Sequence, residues 1–95
     1  LARLQDLLLT RKISGVIHLA SLYLASHRPE DLENLVASNI LYGTMILEAI
    51  VHQESPPWFL NIGTTWQNFN NAPYNPVNLY AATKEAFEVL ARYYI

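Results

Sequence analysis

Val16-Ile17-His18-Leu19-Ala20 is a short, nearly continuous apolar run. It lies between two stretches with helical spacing, the pattern of a strand buried in a parallel sheet. Upstream, Leu1, Leu4, Leu7 and Leu8 recur at helical steps over residues 1–12, and Gly15 is the expected stop. Downstream, a loop over 21–28 leads into a long helix expected from Pro29 to His52. Pro29 suits the first helical position, where a missing N–H costs nothing. Glu30 and Asp31 fall in the first turn, where the helix dipole favours acids. Leu32, Leu35, Val36, Ile40, Leu47, Ile50 and Val51 then form one wide apolar stripe.

Ser55-Pro56-Pro57 breaks that helix. A second strand is expected over Trp58-Phe59-Leu60-Asn61-Ile62, ending at Gly63-Thr64-Thr65. A loop rich in Asn and Pro covers 67–75. Asn75 is the expected cap of a last helix, with Pro76 at its first position. The order helix-strand-helix-strand-helix implies right-handed crossovers and a parallel sheet, hence an α/β fold. Two strands do not hold a parallel sheet alone, so further strands are expected outside the chain. Residues 1–95 start inside a helical pattern at Leu1 and end at Tyr93-Tyr94-Ile95 without a stop signal. They read as the central part of one larger domain, truncated at both ends.

Composition excludes several classes. The 95 residues are 52% hydrophobic and 15% charged, with a net charge of −2. The six Lys and Arg residues are scattered, whereas nucleic-acid binding needs clustered cations. There is no cysteine, so neither disulfides nor thiolate metal sites can form, and a cytoplasmic location fits. No uninterrupted apolar run approaches the roughly 20 residues of a membrane span. His18, His27 and His52 lack metal-ligand spacing, so no metal site is expected.

Tyr80 and Lys84 are the sharpest chemical feature. Four residues apart on a helix, they share one face. An ammonium near a phenol favours the phenolate, which readies the hydroxyl to give or take a proton near pH 7. The alternative is a surface lysine beside a half-buried tyrosine. Thr64 and Thr65 follow the C-terminal end of a strand, the edge where ligands bind in open α/β sheets. They would donate to a substrate oxygen beside Tyr80, or else merely satisfy local backbone groups. Ala20 and Ser21 follow the first strand, where small side chains let a planar ligand approach the backbone, or else merely form a tight strand-to-loop turn. Asn39 interrupts the apolar stripe and needs buried partners. It would tie the helix to the strand-end loops, or touch a ligand. Gly43 points to close packing against the sheet. Trp66 is a pocket wall or a sugar-stacking surface.

These pieces fall in the order of a known family. Val16-Ile17-His18-Leu19-Ala20-Ser21, then Asn39 with Gly43-Thr44, then Gly63-Thr64-Thr65, then Asn78-Leu79-Tyr80-Ala81-Ala82-Thr83-Lys84 carry the likeness. The chain resembles the extended short-chain dehydrogenase/reductases, also called the NAD-dependent epimerase/dehydratase family. Within it, 63–67 and 74–80 look most like the CDP-abequose/CDP-paratose synthase branch, which reduces 4-keto deoxysugars linked to CDP. The resemblance implies a Rossmann-like domain, NAD or NADP as cofactor and a nucleotide-sugar substrate. It makes Tyr80 the general acid/base and Lys84 the lysine that activates it and holds the nicotinamide ribose. It assigns the catalytic hydroxyl to Thr65, with Thr64 as alternative. It places Leu19, Ala20, Ser21, Leu22 and Tyr23 along the cofactor, and Asn39 near its nicotinamide side. It also implies a homodimer through the helices at 29–52 and 76–94, with Leu41, Met45, Leu79 and Phe87 facing a partner. Trp66 and Gln67 stand where a dehydratase carries an acidic pair, so reduction or epimerisation is expected instead. With only Gly15, Gly43 and Gly63, the chain holds no glycine-rich phosphate loop. By itself it is expected neither to bind a dinucleotide tightly nor to turn over substrate. The rival reading is a non-catalytic relative that senses a ligand or binds a partner.

Overall fold

The computed structural model of the protein describes residues 1–94. In chain order it forms helix α1 (Ala2–Thr10), strand β1 (Gly15–His18), helix α2 (Pro29–Val51), strand β2 (Trp58–Asn61) and helix α3 (Leu79–Tyr93). Two short 3-10 turns, Thr65–Gln67 and Phe69–Asn71, lie between β2 and α3. The strands pair in parallel, with Gly15 opposite Trp58 and His18 opposite Asn61. The expected element order and parallel α/β architecture are therefore present.

Alternation along the strands divides the sheet into two faces. Val16, His18, Phe59 and Asn61 point to the covered face, whereas Ile17, Trp58 and Leu60 are exposed. The expectation of strands buried on both sides thus holds on one side only, where the helices pack. Leu8 of α1 joins Ala49 and Ile50 of α2 in a core cluster, with Ile13, Val16 and Phe59 packed against it. Phe87 of α3 is 1% exposed and stacks near His18 and Phe59, with ring centroids 5.2 and 6.2 Å away. Its expected role as a partner-facing residue is wrong, because the phase of α3 turns it into this aromatic core.

Several boundaries differ from the sequence reading. Helix α1 ends with Lys12 in the left-handed region (φ 51), not at Gly15. Gly15 instead opens β1 beneath the Trp58 indole, where a Cβ would lie 2.0 Å from the ring. The strands stop at His18 and Asn61, short of Ala20 and Ile62. Helix α3 starts at Leu79, capped by Asn78, whose Oδ1 accepts from Ala81 N–H at 2.8 Å. Asn75 is not the cap because it is engaged elsewhere. Its N–H donates to Gln67 C=O, its C=O accepts from Phe69 N–H, and its Nδ2 donates to Phe69 C=O.

Helix α2 is long and apolar enough, by length and composition alone, to cross a membrane, a test that core helices of α/β folds also pass. Here its inner stripe is packed within the molecule. The buried positions Leu35, Asn39, Gly43 and Leu47 step by four. In a regular helix each such step drifts about 40° around the axis. A π-turn at Ala37–Leu41 takes up the drift and keeps the stripe on the sheet. Leu32, Val36 and Val51, expected in the stripe, are exposed. Gly43 meets the packing demand expected of it, since a Cβ there would lie 2.6 Å from the Phe87 ring and 2.9 Å from His18 Nε2.

Candidate functional site

Three segments converge at the C-terminal edge of the strands: the loop after β1, the loop after β2 and the first turns of α3. Polar side chains fasten each to another. Asn39, 2% exposed, accepts from Leu22 N–H (2.7 Å) and donates to Leu22 C=O (3.0 Å). Its second amide hydrogen goes to Thr83 Oγ1 (3.0 Å), and that hydroxyl donates to Tyr80 C=O (2.6 Å). Asn39 thus ties α2 to the loop after β1 and to the turn of α3 that carries Tyr80. Both its amide hydrogens are spent inside the protein, so it acts here by positioning. Asn78 adds a second tie, donating from Nδ2 to Ala25 C=O (3.2 Å).

The Leu22 anchor fixes the next residue in the chain. The Tyr23 ring meets Tyr80 edge-on at 5.1 Å and lies 5.6 Å from Trp66. Tyr80 is half-buried, while Tyr23 and Trp66 are open to solvent. The aromatic group at the site therefore draws one ring from each converging segment. Leu19, Ala20 and Ser21 lie exposed at the end of β1. Ala20 and Ser21 line a shallow hollow of about 270 Å³ with Ser38 and Tyr42 of α2.

Lys84 is 5% exposed, and lysine is seldom so buried without a partner. Among the described residues no carboxylate pairs with it. Burial holds its pKa below the ordinary lysine value. Its charge is felt by His18, whose pKa is lowered first by burial and then by Lys84. His18 is 4% exposed between aromatic rings and is a core residue. An ammonium has three donors and no acceptor. On Lys84, one helical turn from Tyr80 and with no carboxylate paired to it among the described residues, those donors fit a neutral diol such as a ribose. The residues present therefore suit the nicotinamide end of a dinucleotide.

Thr64 caps the turn Thr65–Gln67, its Oγ1 accepting from Trp66 N–H at 3.3 Å. Thr64 is half-buried and Thr65 exposed. Two residues of this region have no positioning role in the sequence reading. One is Thr83, which no local pattern marks. The other is Gln67, 3% exposed, whose link to Thr64 follows the Thr-x-x-Gln spacing of a capping box. A larger apolar hollow of about 580 Å³ runs along 88–94, between α2 and α3, and does not include Tyr80. Among the described residues no group of three His, Asp or Glu side chains is placed to hold a metal ion.

Comparisons with known proteins bear on the fold and the family. No curated protein matches the chain. Among solved structures, UDP-glucuronic acid 4-epimerase from Bacillus cereus, in complex with NAD, superposes with a TM-score of 0.80 at 26% identity. The match covers 96% of this chain and 30% of that one, so the chain spans under a third of the neighbour's length. The likeness makes the fold Rossmann-like. A family match extends over residues 1–95, the whole of the sequence, and by it the chain belongs to the NAD-dependent epimerase/dehydratase family.

Proposed function

We propose that the protein catalyses NAD-dependent oxidoreduction at C4 of a nucleotide-linked sugar, as a 4-epimerase or a 4-keto-sugar reductase. The observation that carries this reading is Lys84, a buried lysine with no carboxylate paired to it among the described residues, one helical turn from Tyr80. NAD would supply hydride acceptance or donation. Lys84 would hold the nicotinamide ribose through its hydroxyls and place positive charge near the Tyr80 hydroxyl. Tyr80 would take a proton from, or give one to, the sugar C4 oxygen. A threonine hydroxyl, Thr65 or Thr64, would donate to that same oxygen. Leu19 to Tyr23 would lie along the cofactor. NADP is the alternative cofactor.

A specific observation favours each outcome. The neighbour with NAD is a UDP-glucuronic acid 4-epimerase, which supports epimerisation. The stretches 63–67 and 74–80 support reduction of a CDP-linked 4-keto deoxysugar instead. Trp66 and Gln67 supply no acidic pair, which disfavours dehydration. A homodimer through α2 and α3 belongs to the same reading. Leu41 is exposed, and Met45 and Leu79 are half-buried, so all three remain available to a partner.

The test is turnover by the protein at its full natural length, with NAD or NADPH and three probes: UDP-glucuronate, UDP-glucose and CDP-4-keto-6-deoxyglucose. Tyr80→Phe is expected to lower kcat about 100- to 10,000-fold on whichever probe reacts. Near-normal activity of Tyr80→Phe, or no reaction with any probe, sinks the proposal.

A further inference from the structure

Gln67 is a buried amide with hydrogen bonds at both ends of its side chain. Its Oε1 accepts from Thr64 N–H at 2.9 Å. Its Nε2 donates to Glu85 Oε2 at 2.7 Å and to Glu88 Oε2 at 3.0 Å. The first bond holds the loop that carries Thr64 and Thr65. The other two hold helix α3, one and four residues beyond Lys84. Backbone bonds reinforce the junction: Val77 N–H donates to Trp66 C=O at 3.0 Å, just ahead of the Asn78 cap. Gly63 leaves room for the clasp, since a Cβ there would lie 2.8 Å from Gln67 Oε1.

The chemistry of the clasp is directional. It needs an acceptor toward Thr64 and two donors toward a pair of carboxylates. A primary amide is the side chain that offers both. Glutamate at 67 would still accept from Thr64, but it would place a third carboxylate against Glu85 and Glu88. A bond to an ionised group is shorter and stronger than a neutral one, and both carboxylate bonds are of that kind. Glu88 is further held by Arg92, at 3.2 Å, on the outer side of the helix.

We propose that Gln67 is the positioning residue that sets the threonine loop against the Tyr80–Lys84 helix. Its acceptor end fixes Thr64, and its donor end fixes Glu85 and Glu88. This rests on the reading above, in which those side chains act together on the sugar C4 oxygen. Both ends of the Gln67 amide are engaged within the protein, so the proposed role needs no contact with substrate or cofactor. It acts through the placement of the threonine hydroxyls, and a misplacement near 1 Å costs up to about 100-fold in rate.

The test uses steady-state kinetics of the protein at full natural length, with the three sugar nucleotides named above and the melting temperature recorded for each variant. Gln67→Glu is expected to lower kcat about 10- to 100-fold while KM moves less than about threefold. Reversing the polarity of the clasp should rescue it. With Gln67→Glu, Glu85→Gln and Glu88→Gln together, the new amides donate to the new carboxylate, and kcat should return to within about threefold of the parent. If Gln67→Glu does not fold, Gln67→Met removes both polar ends without adding charge and carries the same expected kcat loss. Parental kcat in Gln67→Glu or Gln67→Met overturns the inference, as does a folded triple variant no faster than the single one. Tyr80→Phe separates the two proposals. An active Tyr80→Phe removes the function reading and this inference with it. An inactive Tyr80→Phe beside an unaffected Gln67→Glu removes the inference alone.

Discussion

In its N-terminal half, helix α3 meets the rest of the molecule largely through polar side chains, with the Tyr80 ring and buried Ala81 beside them. In its C-terminal half it sits on an aromatic core, with Glu88 adding one more bond to Gln67. Asn78, Thr83 and Glu85 bond to Ala25, Asn39 and Gln67. A few residues later, Phe87 stacks near His18 and Phe59 beneath Gly43. Apolar packing is non-directional and supplies most of the free energy of folding. Hydrogen bonds net less, but they fix direction and cost heavily when a buried partner is lost. The comparison therefore assigns stability to the Phe87 end and geometry to the Tyr80 end. Lys84 stands at their junction, buried with no carboxylate paired to it among the described residues. That arrangement costs stability, and the proposed role of Lys84 beside the sugar C4 oxygen would account for it.

Changes at the two ends should separate these roles, beginning with the largest effect. Phe87→Ala is expected to cost about 3–5 kcal/mol in chemical denaturation, because it empties the space between His18, Phe59 and Gly43. A cost under about 1 kcal/mol would mean that the aromatic core is not what holds α3. Asn39→Ala should cost less, about 1–3 kcal/mol, since it strands the Leu22 amide and the Thr83 hydroxyl. Its effect on kcat should exceed its effect on stability, and equal losses would erase the distinction between the two ends.

The smallest expected effect is on pH dependence. His18 has its pKa lowered by burial and by Lys84, so the unfolded chain binds more protons below about pH 6.5. Stability from this group is complete above that value and is lost as pH falls through the lowered folded pKa. Asp31 and Glu48, held low by hydrogen bonds from Arg28 N–H and the Tyr94 hydroxyl, act in the same direction in a separate window below about pH 4. Denaturation midpoints measured from pH 8 to 5 should decline for the parent protein, and less steeply for His18→Phe. Equal slopes would show that His18 does not titrate with folding.

Much of this was legible in the sequence. Run length and flanking breakers separate β1 and β2 from the helices: short apolar runs after Gly15 and after Pro56-Pro57 stand between stretches of helical period. The position of Tyr80, Lys84 and the threonines at one sheet edge follows from that order. What sequence could not show depends on tertiary partners. Asn75 and Asn78 both carry a legitimate cap signal, and only the bonds of Asn75 to Gln67 and Phe69 decide between them. The π-turn at Ala37–Leu41 has no local signature and shifts which residues of α2 face inward. Phe87 has the composition of an interface residue, and only the rotation of α3 puts it in the core. The Thr64-x-x-Gln67 spacing is local and readable. Its partners Glu85 and Glu88 lie 18 and 21 residues away and are not.

The central claim is that Lys84 is buried for chemistry and not for folding. Lys84→Met, which keeps the length and removes the charge, tests it most directly in the protein at full natural length. Turnover and melting temperature are read on the same sample. The account predicts turnover lowered by at least about 100-fold, with a melting temperature unchanged or raised, because a desolvated ammonium has been removed. Turnover within about threefold of the parent, or a melting temperature lowered by more than about 8 °C, would contradict it.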